Sequence, residues 1–243
     1  QVEHPVTEMT TGVDLVELMI RVAYGERLPI AQKDVRIDGW AIEARVYAED
    51  PFRNFLPSTG RLVRFRPPED DGNVRVDTGV YEGGEVSMYY DPMVAKLVTW
   101  GEDREQAIAR MQHALDEFYI RGVRHNISFL NAIMAHSRFL EGRLSTNFIA
   151  EEYPEGFNEA MVPQEDPARA VAVAAMVHRR HLNRAARVSG QMPGHERRVN
   201  DDWAVIIGET THEVAMASID GGYVLREADG PLDAIIIATG SEV

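Results

Sequence analysis

The 243-residue sequence predicts an α+β protein, an antiparallel sheet with helices packed on it, followed by a long helix and a short antiparallel hairpin. Three observations lead there. Stretches that alternate apolar and polar residues, bounded by Gly and Pro, fill residues 39–100. Apolar residues at helical spacing dominate 102–153. Beyond a polar, Pro-bounded stretch at 154–167, the chain turns rich in Ala, Arg and His, with no helix breaker before residue 187.

Composition narrows the function classes. With 39 acidic against 25 basic residues the formal charge is −14, which argues against a nonspecific nucleic-acid surface or an anionic-membrane surface. No apolar run approaches the roughly 18 residues of a membrane helix, so no bilayer span is expected. The absence of Cys excludes disulfides, thiolate catalysis and thiolate metal sites. It fits a reducing compartment, expected to be the cytoplasm or, in a eukaryote, the mitochondrial matrix.

The opening stretch, Gln1-Val2-Glu3-His4-Pro5-Val6-Thr7-Glu8, carries no initiator Met and no targeting pattern, so Gln1 is expected to be a cut point or a domain start. As a strand end it would place Gln1 and Glu3 on one face and Val2 on the other. Pro5 biases His4 toward an extended backbone, so Glu3 is presented from a stiff segment and could serve as a base. The alternative is an ordinary solvated strand end. Asp14–Tyr24 reads as an amphipathic packing helix through Leu15, Leu18, Met19 and Val22, with Thr11 as its N-cap and Gly25 ending it.

Residues 39–50 alternate as a strand, with Glu43, Arg45 and Tyr47 on one face and Ile42, Ala44 and Val46 on the other. Taken alone, Arg45 is the partner of Glu43 on a solvated face. A turn at 55–60 enters a strand at 61–66, 67–72 is loop, 73–77 is another strand, and Gly83-Gly84 is a turn. Met93–Trp100 reads as a buried strand. Before it, Asp91 either orients an active-site cation or is simply the turn residue preceding Pro92.

Glu102–Phe118 is strongly helical, with Asp103 as cap and Ala107, Ile108, Met111, Leu115 and Phe118 on one stripe. Asn126–Ala135 repeats the pattern, and 139–153 completes the unit. His113, His125 and His136 have no metal-ligand spacing, and His178 and His181 lie beside Arg179 and Arg180, so no metal site is expected. Residues 154–167 read as a linker, 168–187 as the long helix, and 203–207 with 213–217 as a hairpin around Gly208-Glu209.

QVEHPVTEMTTGVDL, the Glu43-Ala44-Arg45 triplet, FLPSTG, YYDPM and STNFI resemble the biotin carboxylases, ATP-grasp enzymes that carboxylate biotin. The resemblance implies that Gln1 and Val2 position bicarbonate, that Glu3 is the general base, and that Arg45 stabilises negative charge developing on the biotin ureido oxygen. A guanidinium suits that task because it stays charged and needs little reorganisation. It also implies ATP with magnesium, and biotin on a carrier domain. No glycine-rich phosphate loop and no Met-Lys-Met biotin acceptor occur in the sequence, so residues 1–153 are expected to be a C-terminal domain that is inactive alone.

The long helix, GHERRVNDDW and the short strands resemble the domain that, in acyl-CoA carboxylase α subunits of the propionyl-CoA type, leads to the carrier domain and docks on the carboxyltransferase β subunit. There the helix lies within a β-barrel. The resemblance implies a docking domain over 168–243 with a partial antiparallel barrel. Within it, residues 221–243, ending DAIIIATGSEV, are similar to a transketolase segment; without the rest of a thiamine site they read as a core strand and a turn.

Overall fold

The computed structural model describes residues 4–163, 167–190, 192, 194, 197–219, 222–227 and 233–237. Two compact units divide the chain, one to Pro163 and one from Gln164. In the first the order is α1 (His4–Thr11), α2 (Leu15–Ala23), β1 (Trp40–Tyr47), β2 (Glu49–Asp50), β3 (Leu56–Pro57), β4 (Gly60–Arg61), β5 (Arg64–Arg66), β6 (Val74–Thr78), β7 (Glu85–Val86), β8 (Met93–Gly101), α3 (Arg104–Glu117), β9 (Tyr119–Arg121), α4 (Ile127–Ala135), α5 (Ser137–Leu140) and α6 (Phe148–Glu152). β8 is the organising strand. It runs antiparallel between β1 and β6, and the short strands form the pairs β2–β3, β4–β7 and β5–β9.

A central strand must satisfy both of its faces, which explains the nearly unbroken apolar run Met93–Trp100. Ala95, Leu97 and Thr99 face α3; the Thr99 hydroxyl donates to the Ala107 carbonyl at 2.9 Å. Leu97, Ile108, Met111 and Leu115 are almost fully buried in this layer. Each such side chain contributes about 1.5–3 kcal/mol relative to exposure. α3 takes its predicted form: Asp103 caps it by accepting from the Gln106 amide at 2.8 Å, and Ala107, Ile108, Met111 and Leu115 are its buried stripe. The chain enters β1 through Gly39 at φ +64°, where a Cβ would meet the Gly101 carbonyl at 2.4 Å and the Trp100 ring at 2.5 Å, so only glycine fits.

The opposite face of the sheet is covered by α1. Here the structure departs from the expected extended stretch: His4–Thr11 is helical and Pro5, fully buried, sits in the first turn, where its missing N–H costs nothing. Thr11 ends α1 instead of capping the next helix, its hydroxyl donating to the Thr7 carbonyl at 2.6 Å. Asp14 caps α2, accepting from the Glu17 amide at 2.7 Å. Gly25, at φ +88°, closes α2 with a Schellman pair, its own amide to the Val22 carbonyl and Glu26 to Arg21. The packing role expected of α2 does not follow. None of its residues is buried, and Val16, Met19, Ile20 and Val22 are exposed. Helical apolar spacing defines a face but not what covers it.

Two further differences concern the edges. The strand expected at 61–66 is broken into β4 and β5, and β5 pairs with β9, a short strand that periodicity missed. Within the stretch expected as linker, Phe157 and Val162 pack against the first unit. Phe157 is buried, stacked on Phe52 and edge-on to Phe129 and Tyr153.

In the second unit α7 (Pro167–Ala186) is a 20-residue helix, followed by β10 (Asp202–Ile207), β11 (Thr210–Ile219), β12 (Gly222–Glu227) and β13 (Asp233–Ile237). The strands form an antiparallel sheet in the order β10-β11-β12-β13; among the described residues it is open, not a closed barrel. Ala168, Val171, Ala172, Ala175 and Arg179 make the buried stripe of α7, and the small residues let the helix approach Val214, Met216 and Leu225. Residues 222–227 and 233–237 extend the same ladder. That replaces the transketolase likeness of 221–243 with two more strands of this sheet; residues 238–243 lie outside the described residues. No helix among the described residues is long and apolar enough to cross a membrane.

Candidate functional site

Alternation in β1, β8 and β6 brings one row of charged residues onto the sheet face under α1. Register sets Arg45 opposite Lys96 and Lys96 opposite Asp77, with Arg75 one step along β6. α1 adds His4 and Glu8. Arg75 is held on all sides: it donates to both oxygens of Asp77 at 2.8 and 2.9 Å and to Glu8 at 2.7 Å. Burial pushes the Glu8 carboxyl up, but hydrogen bonds from Arg75 and the Leu15 amide, with the neighbouring His4 ring, outweigh it and leave Glu8 below its usual range. The Arg75 guanidinium is correspondingly pushed up by Asp77 and Glu8. This network fastens α1 across the sheet.

Arg45 is differently placed. Its Nε donates to Glu43 Oε1 at 2.9 Å, yet the side chain stays 41% exposed, while Glu43 is 11% exposed. The bond to Glu43 is the main reason the guanidinium is pushed above its usual value, so it remains a cation that an oxyanion can approach. Lys96 is half-buried and, among the described residues, makes no ion pair. It lines a cavity of about 270 Å³ with His4, Asp77, Thr78 and Met93. A second cavity of about 680 Å³, bordered by Arg121, Arg124 and His125, includes neither Arg45 nor Asp91.

The structure therefore brings Arg45 together with Lys96, Asp77 and α1. Gln1, Val2 and Glu3 lie outside the described residues; in sequence they directly precede His4. Asp91 is exposed and accepts from the Met93 amide at 2.9 Å in an Asx turn, and among the described residues it makes no ion pair. Its charge adds to burial in pushing the nearby Glu49 carboxyl up. Lys96 and Asp77 carried no role in the sequence reading, although strand alternation could have placed both on Arg45's face. Among the histidines, His113 is exposed and His136 caps α5 by accepting from the Arg138 amide at 3.2 Å. Burial pushes His125 below its usual value. No group of three or more His, Cys, Asp or Glu side chains able to hold a metal occurs among the described residues.

Residues 43–151, which span this sheet from Glu43 through α6, match the family described as biotin carboxylase C-terminal domain, and residues 171–236 match the propionyl-coenzyme A carboxylase BT domain. Residues 43–151 thus belong to the biotin carboxylase C-terminal domain family. That domain precedes a BT domain, and residues 1–31 match the ATP binding domain of the carbamoyl-phosphate synthase L chain. Among relatives, the propionyl-CoA carboxylase alpha chain of Ruegeria pomeroyi is 51% identical over 95% of this chain and 37% of its own length. The mitochondrial alpha chain of Homo sapiens is 44% identical over 95% of this chain and 32% of its own. The chain thus spans about a third of these relatives.

Solved structures agree with the biotin carboxylase assignment. The biotin carboxylase domain of Hydrogenobacter thermophilus 2-oxoglutarate carboxylase, crystallised with MgADP, ADP and bicarbonate, aligns with TM-score 0.62 and 41% identity over 68% of this chain and 35% of that one. The biotin carboxylase subunit of a pyruvate carboxylase aligns with TM-score 0.62 and 43% identity over the same shares.

Proposed function

We propose that this chain is the C-terminal part of the biotin carboxylase subunit of an acyl-CoA carboxylase of the propionyl-CoA type, contributing bicarbonate and biotin site residues to ATP-dependent carboxylation of biotin. One observation carries the reading: α1, the helix that begins immediately after Glu3, lies on the sheet face that presents Arg45. The residues present fit an anionic substrate and the ureido end of biotin. Arg45 is charged, braced by Glu43 and open on the outside, and Lys96 adds a second cation in the same row. Biotin, bound through its carrier, supplies the ureido nitrogen that receives the carboxyl group.

Within that scheme Glu3 takes the bicarbonate proton, Gln1 and Val2 position the anion, and Arg45 stabilises negative charge developing on the ureido oxygen. Asp91 supports the turn that feeds β8 and would help orient a cation of the site. ATP and magnesium would be held mainly by residues outside this chain. In the complete polypeptide, Glu3→Gln should lower bicarbonate-dependent ATP cleavage by about 10²- to 10⁴-fold, the usual worth of a general base. The chain by itself is expected to be inactive: ATP turnover that depends on bicarbonate and free biotin, measured on residues 1–243 alone, would overturn that expectation.

A second reading is supported by the BT-domain match over 171–236. In it α7 and the sheet β10–β13 dock a carboxyltransferase β subunit, the sheet forming part of a barrel around the helix, and 154–167 connects this domain to residues 1–153. Capture of that subunit, abolished by deleting residues 154–243, is the expected outcome. Capture that survives the deletion would refute it.

A further inference from the structure

We infer that Asn126 is a positioning residue for Arg45, fixing the backbone from which the guanidinium projects. The inference rests on the role proposed above for Arg45. Among the described residues β1 is an edge strand, paired with β8 alone. Its pairing with β8 slips between Val46 and Tyr47, a bulge that would leave the end of the strand loosely held next to the functional side chain.

Asn126 supplies the missing partner. The Tyr47 amide donates to Asn126 Oδ1 at 2.9 Å, the Asn126 amide donates to the Tyr47 carbonyl at 3.2 Å, and Asn126 Nδ2 donates to the Arg45 carbonyl at 3.1 Å. The residue is 6% exposed, so these bonds have little competition from water.

Its place in the chain makes this use informative. Asn126 is the residue before α4, where an asparagine ordinarily accepts from the first-turn amides of the helix, yet here its side chain makes no capping bond. Donor and acceptor of the amide are both turned to β1. Only a side chain with one of each on the same planar group can hold the Arg45 carbonyl and the Tyr47 amide together. The Arg45 Nε donates to Glu43 on the same strand, so the backbone that Asn126 holds carries both members of that pair.

The test uses the complete biotin carboxylase polypeptide with free biotin. N126A removes both side-chain bonds; N126D keeps the acceptor for Tyr47 and loses the donor to Arg45. For both, kcat for biotin carboxylation should fall about 10- to 100-fold, since a misplacement on the order of 1 Å can cost about 10²-fold, with KM for ATP moving less than about twofold. The ratio of biotin-dependent to biotin-independent ATP cleavage should fall with it. In the isolated chain, amide exchange at Tyr47 should accelerate in N126A.

An equal loss in both ATP reactions would mark Asn126 as merely structural and overturn the inference, as would wild-type kcat in N126D. R45A, run in parallel, separates the two layers. If R45A leaves biotin carboxylation intact, the role of Arg45 fails; if R45A depresses it and the Asn126 variants do not, the positioning role alone fails. Should N126A not fold, N126D carries the same readout.

Discussion

Arg179 is a buried cation in the middle of α7, and substituting it tests what holds the second unit together. It is 7% exposed, donates to the Met216 carbonyl at 2.6 Å and to Asp201 Oδ1 at 2.5 Å, and lies over the Tyr223 ring at 5.6 Å. In R179A the Met216 carbonyl loses a charged donor, worth about 1.5–3 kcal/mol. Loss of the contact with the Tyr223 ring adds about 0.5–1 kcal/mol. Asp201, whose side chain is 67% exposed, returns to water, so its ion pair contributes at most about 1 kcal/mol.

The expected cost of R179A is therefore about 2–4 kcal/mol, while D201N should cost less than about 1 kcal/mol. R179M should fall between them, because it keeps the apolar stem and removes a buried charge but still leaves the carbonyl unpaired. Urea unfolding followed through Trp203, which packs edge-on against His178, reports on this unit, whereas Trp40 and Trp100 belong to the first. If the R179A midpoint moves no further than that of D201N, the guanidinium–carbonyl bond is not what joins helix to sheet.

Two other expectations concern the first unit. F157A deletes a buried ring with three aromatic neighbours and should lower stability by about 3–5 kcal/mol; a change under about 0.5 kcal/mol in a thermal or urea melt would mean that residues 154–163 are bare linker after all. Burial holds His125 below its usual 6.5, so its contribution to stability is present above that unfolded value and is lost as pH falls through the depressed folded one. The Tm should therefore decline as pH drops from about 6.5 toward 5, less steeply in H125F; an NMR titration placing His125 at or above 6.5 would contradict this.

Much of this architecture could be read from residues whose pattern and surroundings agree. Asp103, Ile108, Met111 and Leu115 predicted α3 because cap and stripe coincide, and Met93–Trp100 predicted a buried strand because it is apolar at nearly every position. Arg45 could be placed on a face with Glu43 by alternation alone, and its pairing with Glu43 is what the side chains do. Three-dimensional partners were not legible. Pro5 allows either an extended entry or a first helical turn, and the contact between α1 and the sheet decides for the helix. Asn126 read as the first residue of a helical stretch, since the strand it serves is 79 positions away. Arg179 carried no packing role in the sequence reading, because periodicity cannot bring its acceptors, Met216 and Asp201, near α7.

The register of β8 carries a consequence for how this sequence can vary. Arg45, Lys96 and Asp77 form one row across the sheet, and Ala44, Leu97 and Val76 form the next on the opposite face. Removing or adding a single residue inside β8 would exchange these rows, sending Lys96 into the layer under α3 and Leu97 out toward α1. Point changes at Val94 or Val98 alter packing locally, whereas a length change between Lys96 and Trp100 would break the register that aligns the charged row. Insertions and deletions should consequently collect in turns such as Pro67–Asn73, while the strand tolerates substitution but not a change in its count.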